Sequence, residues 1–530
     1  MLQDNLLLII SLLLVVSMLT MLSNKLRISY PILLVLAGLG IGFIPGVPSI
    51  TLQPELVFII FLPPLLYAAA WYTSWNDFWR YRRPVFMLAF GLVIFTATAV
   101  AFISHALIPG FSLPLGFLLG AIISPPDAIA ATSVLEHLKV PKRITTILEG
   151  ESLINDASSL IVFRFALAAI FTGQFSIWEA GGDFVLVSVM GVVIGLAIAH
   201  VVYLIHRFLP TTPSIDTAIT LISPYLMYIA AEHFHFSGVL AVVSGGLFLS
   251  FRSHEVFSYS TRLQAVSVWE TLVFLLNGVV FIMIGLELPY IIKELGQSSI
   301  LDAIKYAVVI SLVTIIIRIL WVYPGAYLPR LVSEKIRKRE PRPSSASVFI
   351  VGWSGMRGVV SLASALAVPI TMSNGQAFPQ RNLILFITFI VILFTLVIQG
   401  LSLPWLIRIL KIEAPEPEVA HEHAIRLRLA TAVLNMLEKS YADEATSIDA
   451  FVRLRERYQR MADIATSKLN QEDGVHAEGH FVPKYRQMLL DAVHVRRAEL
   501  TKMSRSREFP DELIRKRETE LDLEEARLRK

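Results

Sequence analysis

The chain has 530 residues, 55% of them hydrophobic, and a mean hydropathy of +0.63. This composition lies well above the averages for soluble proteins and predicts a membrane protein. The absence of cysteine excludes disulfides, thiolate metal sites and cysteine nucleophiles. The net charge of +4 reflects basic residues that flank membrane segments, so no nucleic-acid partner is expected.

Charged side chains divide the chain into two parts. Residues 1–411 and residues 412–530 carry 44 charged residues each, although the first part is more than three times longer. We therefore predict a transmembrane domain over 1–411 and a water-exposed, charged tail over 412–530. The tail opens with the linker EAPEPE and continues with helical periodicity, which favours a small cytoplasmic helical region. This region is either regulatory or dimer-forming, or simply a set of solvated helices.

Apolar stretches near 20 residues long span the roughly 30 Å hydrocarbon core as helices. The first apolar run, from Leu6 to Leu22, follows an acidic residue and precedes basic ones, which indicates a transmembrane helix rather than a cleaved signal peptide. Thirteen such stretches are present, at residues 5–22, 30–46, 52–72, 84–108, 113–136, 146–172, 183–206, 215–232, 237–251, 266–287, 302–328, 346–370 and 383–410.

The loops between these segments alternate in their content of lysine and arginine. The positive-inside rule places basic loops in the cytoplasm, so we expect the N-terminus outside the plasma membrane and the tail inside. The non-basic loops carry only Lys293 and Arg381. The basic loops carry Lys25, Arg27, Arg80, Arg82, Arg83, Lys139, Lys142, Arg143, Arg207, Arg252, Arg262, Arg330, Lys335, Arg337, Lys338, Arg339 and Arg342.

Two of the predicted segments are interrupted near mid-span. The fifth contains Pro125-Pro126, and the twelfth, SVFIVGWSGMRGVVSLASALAVP, contains Gly352, Gly355 and Gly358. The two segments are seven helices apart and run in opposite directions, which fits two inverted six-helix repeats around a spare helix. Many secondary transporters are built in this way, and their binding sites lie where broken helices meet. The alternative is that these residues are ordinary features of membrane helices.

Acidic side chains in apolar segments need a partner, a cavity or a function, because a lone charge at the bilayer centre costs at least about 2.5–3.5 kcal/mol. In the sixth segment, Ser152 and Asp156 share one helical face. Asp127 lies beside the proline break, where Pro126 donates no N–H and leaves carbonyls unpaired. If the two segments touch, Asp127, Ser152 and Asp156 form an oxygen-lined metal site for Na⁺ or Li⁺.

Such a site also indicates how transport is coupled. A desolvated carboxylate beside a second carboxylate holds a proton or a cation, but not both well. Competition at one site, combined with alternating access, is sufficient for exchange. The structural alternative is that Asp127 and Asp156 are buried in permanent ion pairs with membrane arginines. Three arginines are available, namely Arg164, Arg318 and Arg357.

The other membrane charges receive structural interpretations. Glu151 lies off the proposed cation face and Arg318 is an isolated charge, so we predict a Glu151–Arg318 ion pair. Arg357 follows the glycine break and is predicted to neutralise the carbonyl ends of the half-helices. Arg164 lies eight residues past Asp156, about 12 Å along the helix axis, and receives no role.

Four stretches of the sequence together carry a family resemblance. GESLINDASSL resembles the Asn-Asp motif region of the cation:proton antiporter family, which includes bacterial and animal Na⁺/H⁺ exchangers. FLPPLLYAAAW, SPPDAIAATSVL and GWSGMRGVVSLASALA resemble the third, fifth and twelfth membrane segments of that family. The likeness runs through about residues 1–410 in the family's order and spacing, and it points to the bacterial NhaP/NHE-like branch.

The resemblance implies roles for the residues of the predicted site. Asp156 is implied to be the carboxylate that exchanges a proton for a cation, with Asn155 as its motif partner. Asp127, Ser152 and the backbone carbonyl of Pro126 are implied to complete the cation shell.

The same resemblance implies an architecture and a mechanism. Glu151 and Arg318 match the structural ion pair of the family, and Arg357 matches its helix-end arginine. The family forms homodimers and works as an elevator, in which a core of broken helices slides against a dimer scaffold. Because Asn155 is neutral, electroneutral exchange of one cation per proton is implied.

Two positions depart from the family pattern. Many relatives carry an acidic residue two positions after PPLL that bonds the motif asparagine, whereas this chain has Ala68, preceded by Tyr67. Asn155 is therefore expected to lack its usual partner. Pro126 stands where relatives usually carry threonine, which removes a hydroxyl and keeps the carbonyl.

The sequence favours a proton-driven Na⁺ or Li⁺ antiporter over three alternatives. A K⁺/H⁺ antiporter of the same mechanism is the nearest, because carboxylate oxygens alone do not set cation size. A cation channel with Asp127 and Asp156 lining a pore, or an intramembrane protease that uses them as a dyad, belongs to another class. No phosphate-binding G-x-x-x-x-G-K-[ST] loop is present, so ATP is not expected as a partner. No cofactor and no enzymatic activity are expected.

Overall fold

The computed structural model is helical and forms two compact units, Met1–Ala414 and Pro415–Lys530. The sequence prediction places this boundary between residues 411 and 412. The residues that the structure describes are 2–26, 28–44, 58–135, 138, 140–173, 177–295, 300–339, 342–372, 375–412, 417–441, 449–469, 481–506 and 511–529.

The first unit consists of apolar helices joined by short loops. Its first half contains α1 (Leu2–Leu26), α2 (Tyr30–Gly42), α3 (Leu62–Tyr72), α4 (Trp75–Arg80), α5 (Arg82–Phe86), α6 (Val93–Leu107), α7 (Leu113–Ile123), α8 (Ala128–Leu135) and α9 (Lys142–Thr172). Its second half contains α10 (Ile177–Phe208), α11 (Pro213–His233), α12 (Gly238–Val256), α13 (Tyr259–Glu294), α14 (Ile300–Val332), α15 (Glu334–Arg339), α16 (Ser345–Trp353), α17 (Val359–Leu366), α18 (Arg381–Phe394) and α19 (Gly400–Ile409).

Each of the thirteen predicted segments overlaps one of these helices or a pair of them. Within the described residues, nine helices are long and apolar enough to cross a membrane, and two more, Tyr30–Gly42 and Phe58–Tyr72, are apolar but shorter. The all-α polytopic membrane class is therefore confirmed. The count of thirteen crossings stays a prediction.

Both predicted helix breaks are present. The fifth segment is divided into α7 and α8 by residues 124–127, and the twelfth into α16 and α17 by residues 354–358. The two breaks touch, because the backbone N–H of Asp127 donates to the carbonyl oxygen of Met356 at 2.7 Å. The broken helices thus cross at their interruptions, where four helix ends with unpaired backbone groups come together.

Two wider, π-helical turns occur that the sequence did not predict. Met87–Leu92 joins α5 to α6, and Thr395–Gln399 joins α18 to α19. Each lies against the crossing region: Ser158 of α9 donates to the carbonyl of Ala89 at 2.5 Å, and Thr395 accepts the backbone N–H of Arg357 at 3.1 Å. Such turns often mark functional sites, since they release backbone groups within a helix.

The helices of the first unit form two bundles. The core bundle contains both broken helices and comprises α5–α9, α14 and α16–α19, with α9 packed on α7 and α8. The flanking bundle comprises α1–α3 and α10–α13, with α11 packed on α10, α12 and α13. The core bundle therefore carries both Asp127, at the break between α7 and α8, and Asp156, on α9.

In the described part of the second unit, four helices pair as hairpins. Ion pairs join the last two, Arg496 with Glu524 at 2.7 Å and Arg497 with both Asp522 and Glu525 at 2.6 Å. The helices are α20 (Pro417–Ser440), α21 (Asp449–Leu469), α22 (Phe481–Ser506) and α23 (Asp511–Arg529).

Close backbone approach holds α2 against α13 in the flanking bundle. A Cβ atom at Gly38 would overlap the carbonyl of Ile282, and one at Gly285 would overlap the backbone of Val35 and Leu39. Only glycine permits this spacing, which is a common device of helix packing in membranes.

We predict that Gly38→Ala lowers the thermal unfolding midpoint of the purified protein in detergent. The added methyl group forces the two backbones apart at a cost of about 1–3 kcal/mol. Gly40→Ala, in the same helix, is the matched control because nothing lies within 4 Å of its Cβ position. An equal loss of stability in both variants would show that helix α2 is sensitive to any substitution.

Candidate cation-binding site

The carboxylate of Asp127 lies at the start of two half-helices. One of its oxygens accepts the backbone N–H of Ile129 in α8 at 2.8 Å, and the other accepts that of Val359 in α17 at 3.4 Å. A negative charge at a helix N-terminus is favourable because unpaired N–H groups and the helix dipole both point at it. A Cβ atom at Gly358 would overlap the same carboxylate, so glycine is required there.

A second charge lies at the C-terminal end of α16, one of the two other half-helices. Arg318 of α14 donates to the carbonyl of Val351, in the last turn of α16, from Nε at 3.3 Å and from Nη2 at 3.2 Å. Its guanidinium also bonds both carboxylate oxygens of Glu151, at 2.5 and 2.8 Å. Both side chains of this pair are 1% exposed. Glu151 and Arg318 therefore form a buried, bidentate ion pair between α9 and α14.

The role at the helix end differs from the sequence prediction. Arg357 was expected to neutralise the carbonyl ends, but Arg318 makes those contacts because Gly355 leaves room for its side chain next to α16. Arg357 is 1% exposed, and among the described residues its Nε and Nη1 atoms have no hydrogen-bond partner. Its charge lies within electrostatic range of Glu151, which attracts it, and of Arg318, which repels it.

The aspartates of the fifth and sixth predicted segments face one cavity. Its volume is about 280 Å³, and Asp127, Ser152 and Asp156 all line it. The hydroxyl of Ser152 accepts the backbone N–H of Ala128 at 3.3 Å, which fixes α9 against the start of α8. Asp156 is 7% exposed, and no hydrogen bond or ion pair to its carboxylate is found within the described part of the chain. The cavity therefore offers a proton or a cation one carboxylate that is not otherwise bonded.

The contact between Asn155 and Pro126 differs from the predicted site, in which the Pro126 carbonyl was unpaired. The side-chain amide of Asn155 donates to the carbonyl of Pro126 at 3.0 Å, across from α9 to the break. The Pro126 carbonyl is thus not an unpaired acceptor, because the asparagine reaches it, although a second lone pair remains. Asn155 likewise has a partner despite Ala68, which is buried and lines the cavity.

Two of the three membrane arginines pair with carboxylates other than Asp127 and Asp156. Arg318 pairs with Glu151, as described above, and Arg164 pairs with Glu232 at 2.5 Å. Within the described residues, no arginine forms an ion pair with Asp127 or Asp156. The arrangement differs from a permanent arginine–aspartate pair and leaves Asp156 facing the cavity.

Several cavity residues did not emerge from the sequence. Glu149 is exposed and lies two turns before Asp156 on the same face of α9, so helical periodicity would have found it. Ser361 of α17 also lines the cavity, and its buried hydroxyl has no partner within the described residues. Only the crossing of the two broken helices brings Ser361 near the fifth segment, so no local pattern indicates it.

Broken helices that cross around buried carboxylates define a polytopic membrane carrier fold. The sequence matches the family described as "Sodium/hydrogen exchanger, transmembrane" over residues 10–409. The chain therefore belongs to the sodium/hydrogen exchanger family, and the family predicted from the four motifs is confirmed.

Curated relatives agree with this assignment. A "Sodium, potassium, lithium and rubidium/H(+) antiporter" of Bacillus pumilus is 34% identical over 421 residues, which cover 77% of this chain and 62% of that protein. An uncharacterized Na⁺/H⁺ exchanger of Mycobacterium tuberculosis is 32% identical over 538 residues, covering 99% of this chain and 96% of the relative. The chain thus spans less than two thirds of the Bacillus protein and nearly all of the mycobacterial one.

The fold has a solved counterpart. The sodium proton antiporter MjNhaP1 from Methanocaldococcus jannaschii at pH 8 superposes with a TM-score of 0.61 and 21% sequence identity. The match covers 76% of this chain and 98% of that one. At this identity the likeness shows the fold alone.

We predict that Glu151→Gln lowers the free energy of unfolding by about 3–5 kcal/mol, because it leaves Arg318 buried without a counter-charge. This loss is measured by heating the protein in detergent and quantifying the remaining folded protein by size-exclusion chromatography. Glu149→Gln is the matched control, since Glu149 is exposed on the same helix. Normal stability of Glu151→Gln together with lost transport would move Glu151 from the scaffold into the transport site.

Proposed function

We propose that the chain is a secondary active antiporter that exchanges Na⁺ or Li⁺ for H⁺ across the membrane. One observation carries the proposal: Asp156 faces a cavity at the crossing of the broken helices, where Asp127 and Ser152 add oxygen atoms. Hard oxygen donors suit small alkali cations. Family membership supports the same activity.

Competition at Asp156 couples the two ions. The Asp127 carboxylate is held by two backbone N–H groups, whereas the Asp156 carboxylate has no such bonds within the described residues. A proton on Asp156 removes the charge that a cation needs, and a bound cation expels the proton. One carboxylate in the exchange predicts one cation per proton, which is electroneutral transport.

Alternating access completes the proposed cycle. The core bundle carries Asp127 and Asp156 and is proposed to slide against the flanking bundle as an elevator. A homodimer built on the flanking bundle, in the plasma membrane with the N-terminus outside and the charged tail in the cytoplasm, is part of the same proposal. A regulatory role is proposed for that tail.

Potassium is the second candidate substrate. The name of the Bacillus pumilus relative includes sodium, potassium, lithium and rubidium, so potassium is among the cations for which one relative of this chain is named. Ala68 supports a wider range of cations here, because it places a methyl group, and no carboxylate, on the α3 side of the cavity. A K⁺/H⁺ exchange would use the same residues.

We predict that wild-type protein in inverted vesicles alkalinises the acidified lumen when Na⁺ or Li⁺ is added, and that Asp156→Asn reduces this response to the level of empty vesicles. The asparagine keeps the size of the side chain but cannot release a proton. A pH-sensitive dye follows the flux, and K⁺ is tested in parallel to decide the second candidate.

Ser159→Ala is the control, because Ser159 lies one turn further along α9 and bonds only the backbone carbonyl of Asp156 within the described chain. It should retain the response. Cation-dependent flux in Asp156→Asn equal to wild type would remove Asp156 from the mechanism.

We predict that imposed membrane potentials of either sign leave the exchange rate in proteoliposomes unchanged. Exchange of one charge for one charge moves no net charge, so the field does no work on the cycle. The rate of Na⁺-dependent proton flux is measured at zero potential and at both polarities. A rate that follows the voltage contradicts the one-for-one stoichiometry.

A further inference from the structure

Ser361 places a buried hydroxyl at the cavity that Asp127 and Asp156 line. It lies in the first turn of α17, and 1% of the residue is exposed. Its Oγ atom has no hydrogen-bond partner within the described residues, although the residue lines the cavity. A buried hydroxyl without a partner is costly, because it has lost its contacts with water and gained none in return. This hydroxyl is therefore available to a ligand that enters the cavity.

The other serine and threonine hydroxyls of the cavity are bonded to the backbone. Thr73 and Thr132 each donate to the carbonyl of the residue four positions earlier, at 2.7 and 2.9 Å. Ser152 accepts the backbone N–H of Ala128 at 3.3 Å. Among the cavity serines and threonines that the structure describes, Ser361 is thus the one whose hydroxyl has no partner.

The start of α17 packs closely against Asp127. The backbone N–H of Val359 donates to one carboxylate oxygen at 3.4 Å, and a Cβ atom at Gly358 would overlap the same carboxylate. Ser361 lies in the same turn of α17, so the helix start that holds Asp127 also brings this hydroxyl to the cavity. Asp156 faces the cavity from α9. Oxygen atoms from α9, from the break between α7 and α8, and from α17 therefore surround one space.

The wall on the opposite side of the chain order, α3, offers fewer such atoms. Ala68 and Ala69 line the cavity from α3, and neither side chain carries an oxygen. A cation that enters a protein site exchanges its hydration shell for protein oxygens. An additional oxygen from α17 is therefore valuable to a cation in this cavity.

We propose that the hydroxyl of Ser361 binds the transported cation together with Asp127, Ser152 and Asp156. The cation then contacts both broken helices at once, since Asp127 belongs to the break between α7 and α8, and Ser361 belongs to α17. Ser361 acts as a ligand alone, and the exchanged proton stays with Asp156. The inference rests on the proposed function, because it adds a ligand to the site at which a cation and a proton compete.

Three substitutions at one position distinguish a cation ligand from a structural hydroxyl. Ser361→Ala removes the oxygen, Ser361→Cys replaces it with a softer sulfur that suits alkali cations poorly, and Ser361→Thr keeps a hydroxyl. Ser364→Ala is the matched control. Ser364 is 2% exposed in the same helix, and it is not among the described residues that line the cavity.

The half-saturating concentrations of Na⁺, Li⁺ and K⁺ for proton flux are measured separately in proteoliposomes at fixed pH. We expect a rise of about tenfold in Ser361→Ala and in Ser361→Cys, the lower end for loss of a polar contact to a charged group, with little change in the maximal rate. Ser361→Thr and Ser364→Ala should keep the wild-type value. Each cation bound by Ser361→Ala should still release one proton, because Asp156 is intact.

Thermal unfolding in detergent gives an independent readout. Removal of a buried hydroxyl that bonds nothing should leave the unfolding midpoint unchanged or raise it, whereas loss of a structural hydrogen bond would lower it. A bound cation stabilises the folded state by mass action, so added Na⁺ should raise the midpoint less in Ser361→Ala than in the wild type. Either oxygen-free variant is sufficient if the other does not fold.

Unchanged half-saturation for all three cations in Ser361→Ala and Ser361→Cys would overturn the inference, and so would an equal rise in Ser361→Thr or in Ser364→Ala. A lower unfolding midpoint in both oxygen-free variants without added cation would assign Ser361 to the structure instead. Failure of the proposed function is distinct from these outcomes. It would appear as an absence of cation-driven proton flux in the wild type, and the inference would fall with it.

Discussion

The hydrogen bonds of one carboxylate at the crossing of two broken helices support the whole site. A helix interrupted within a membrane exposes backbone groups that hydrocarbon cannot solvate. Asp127 satisfies N–H groups of both α8 and α17, and Arg318 satisfies a carbonyl of α16. These hydrogen bonds to the helix ends stabilise both charged side chains within the membrane-spanning part of the protein. A cavity lies beside the crossing, and Asp156 lines this cavity.

The two buried charge systems serve different purposes because their bonds differ. Glu151 and Arg318 hold each other bidentately, and each is 1% exposed, so the pair is a fixed contact between α9 and α14. Asp156 lies one turn and a half further along α9 and lines a cavity. A single helix thus carries a fixed ion pair and the carboxylate that is proposed to exchange a proton for a cation. The half-exposed ion pair between Arg164 and Glu232 follows about two turns further along α9.

Sequence patterns predicted the elements and the two aspartates of the site, because apolar length, proline and glycine breaks and helical spacing are local properties. The breaks at residues 124–127 and 354–358 are of this kind. The hydrogen-bond partners of the site residues were less predictable from the sequence. That Arg318 rather than Arg357 bonds the end of α16 depends on the angle of the crossing, and so does the bond from Asn155 to Pro126. The bonds from Ser158 to Ala89 and from Arg164 to Glu232 likewise join segments far apart in sequence.

Proton release on cation binding tests the central claim, that one carboxylate binds either a proton or a cation. Purified protein in a weakly buffered detergent solution is mixed with Na⁺ or Li⁺ over a range of pH, and bound cation and released proton are measured together. The account predicts that the wild type releases one proton for each cation bound at a pH where Asp156 is protonated, and that Asp156→Asn releases none. Cation binding without proton release at every pH, or equal release from Asp156→Asn, would contradict it.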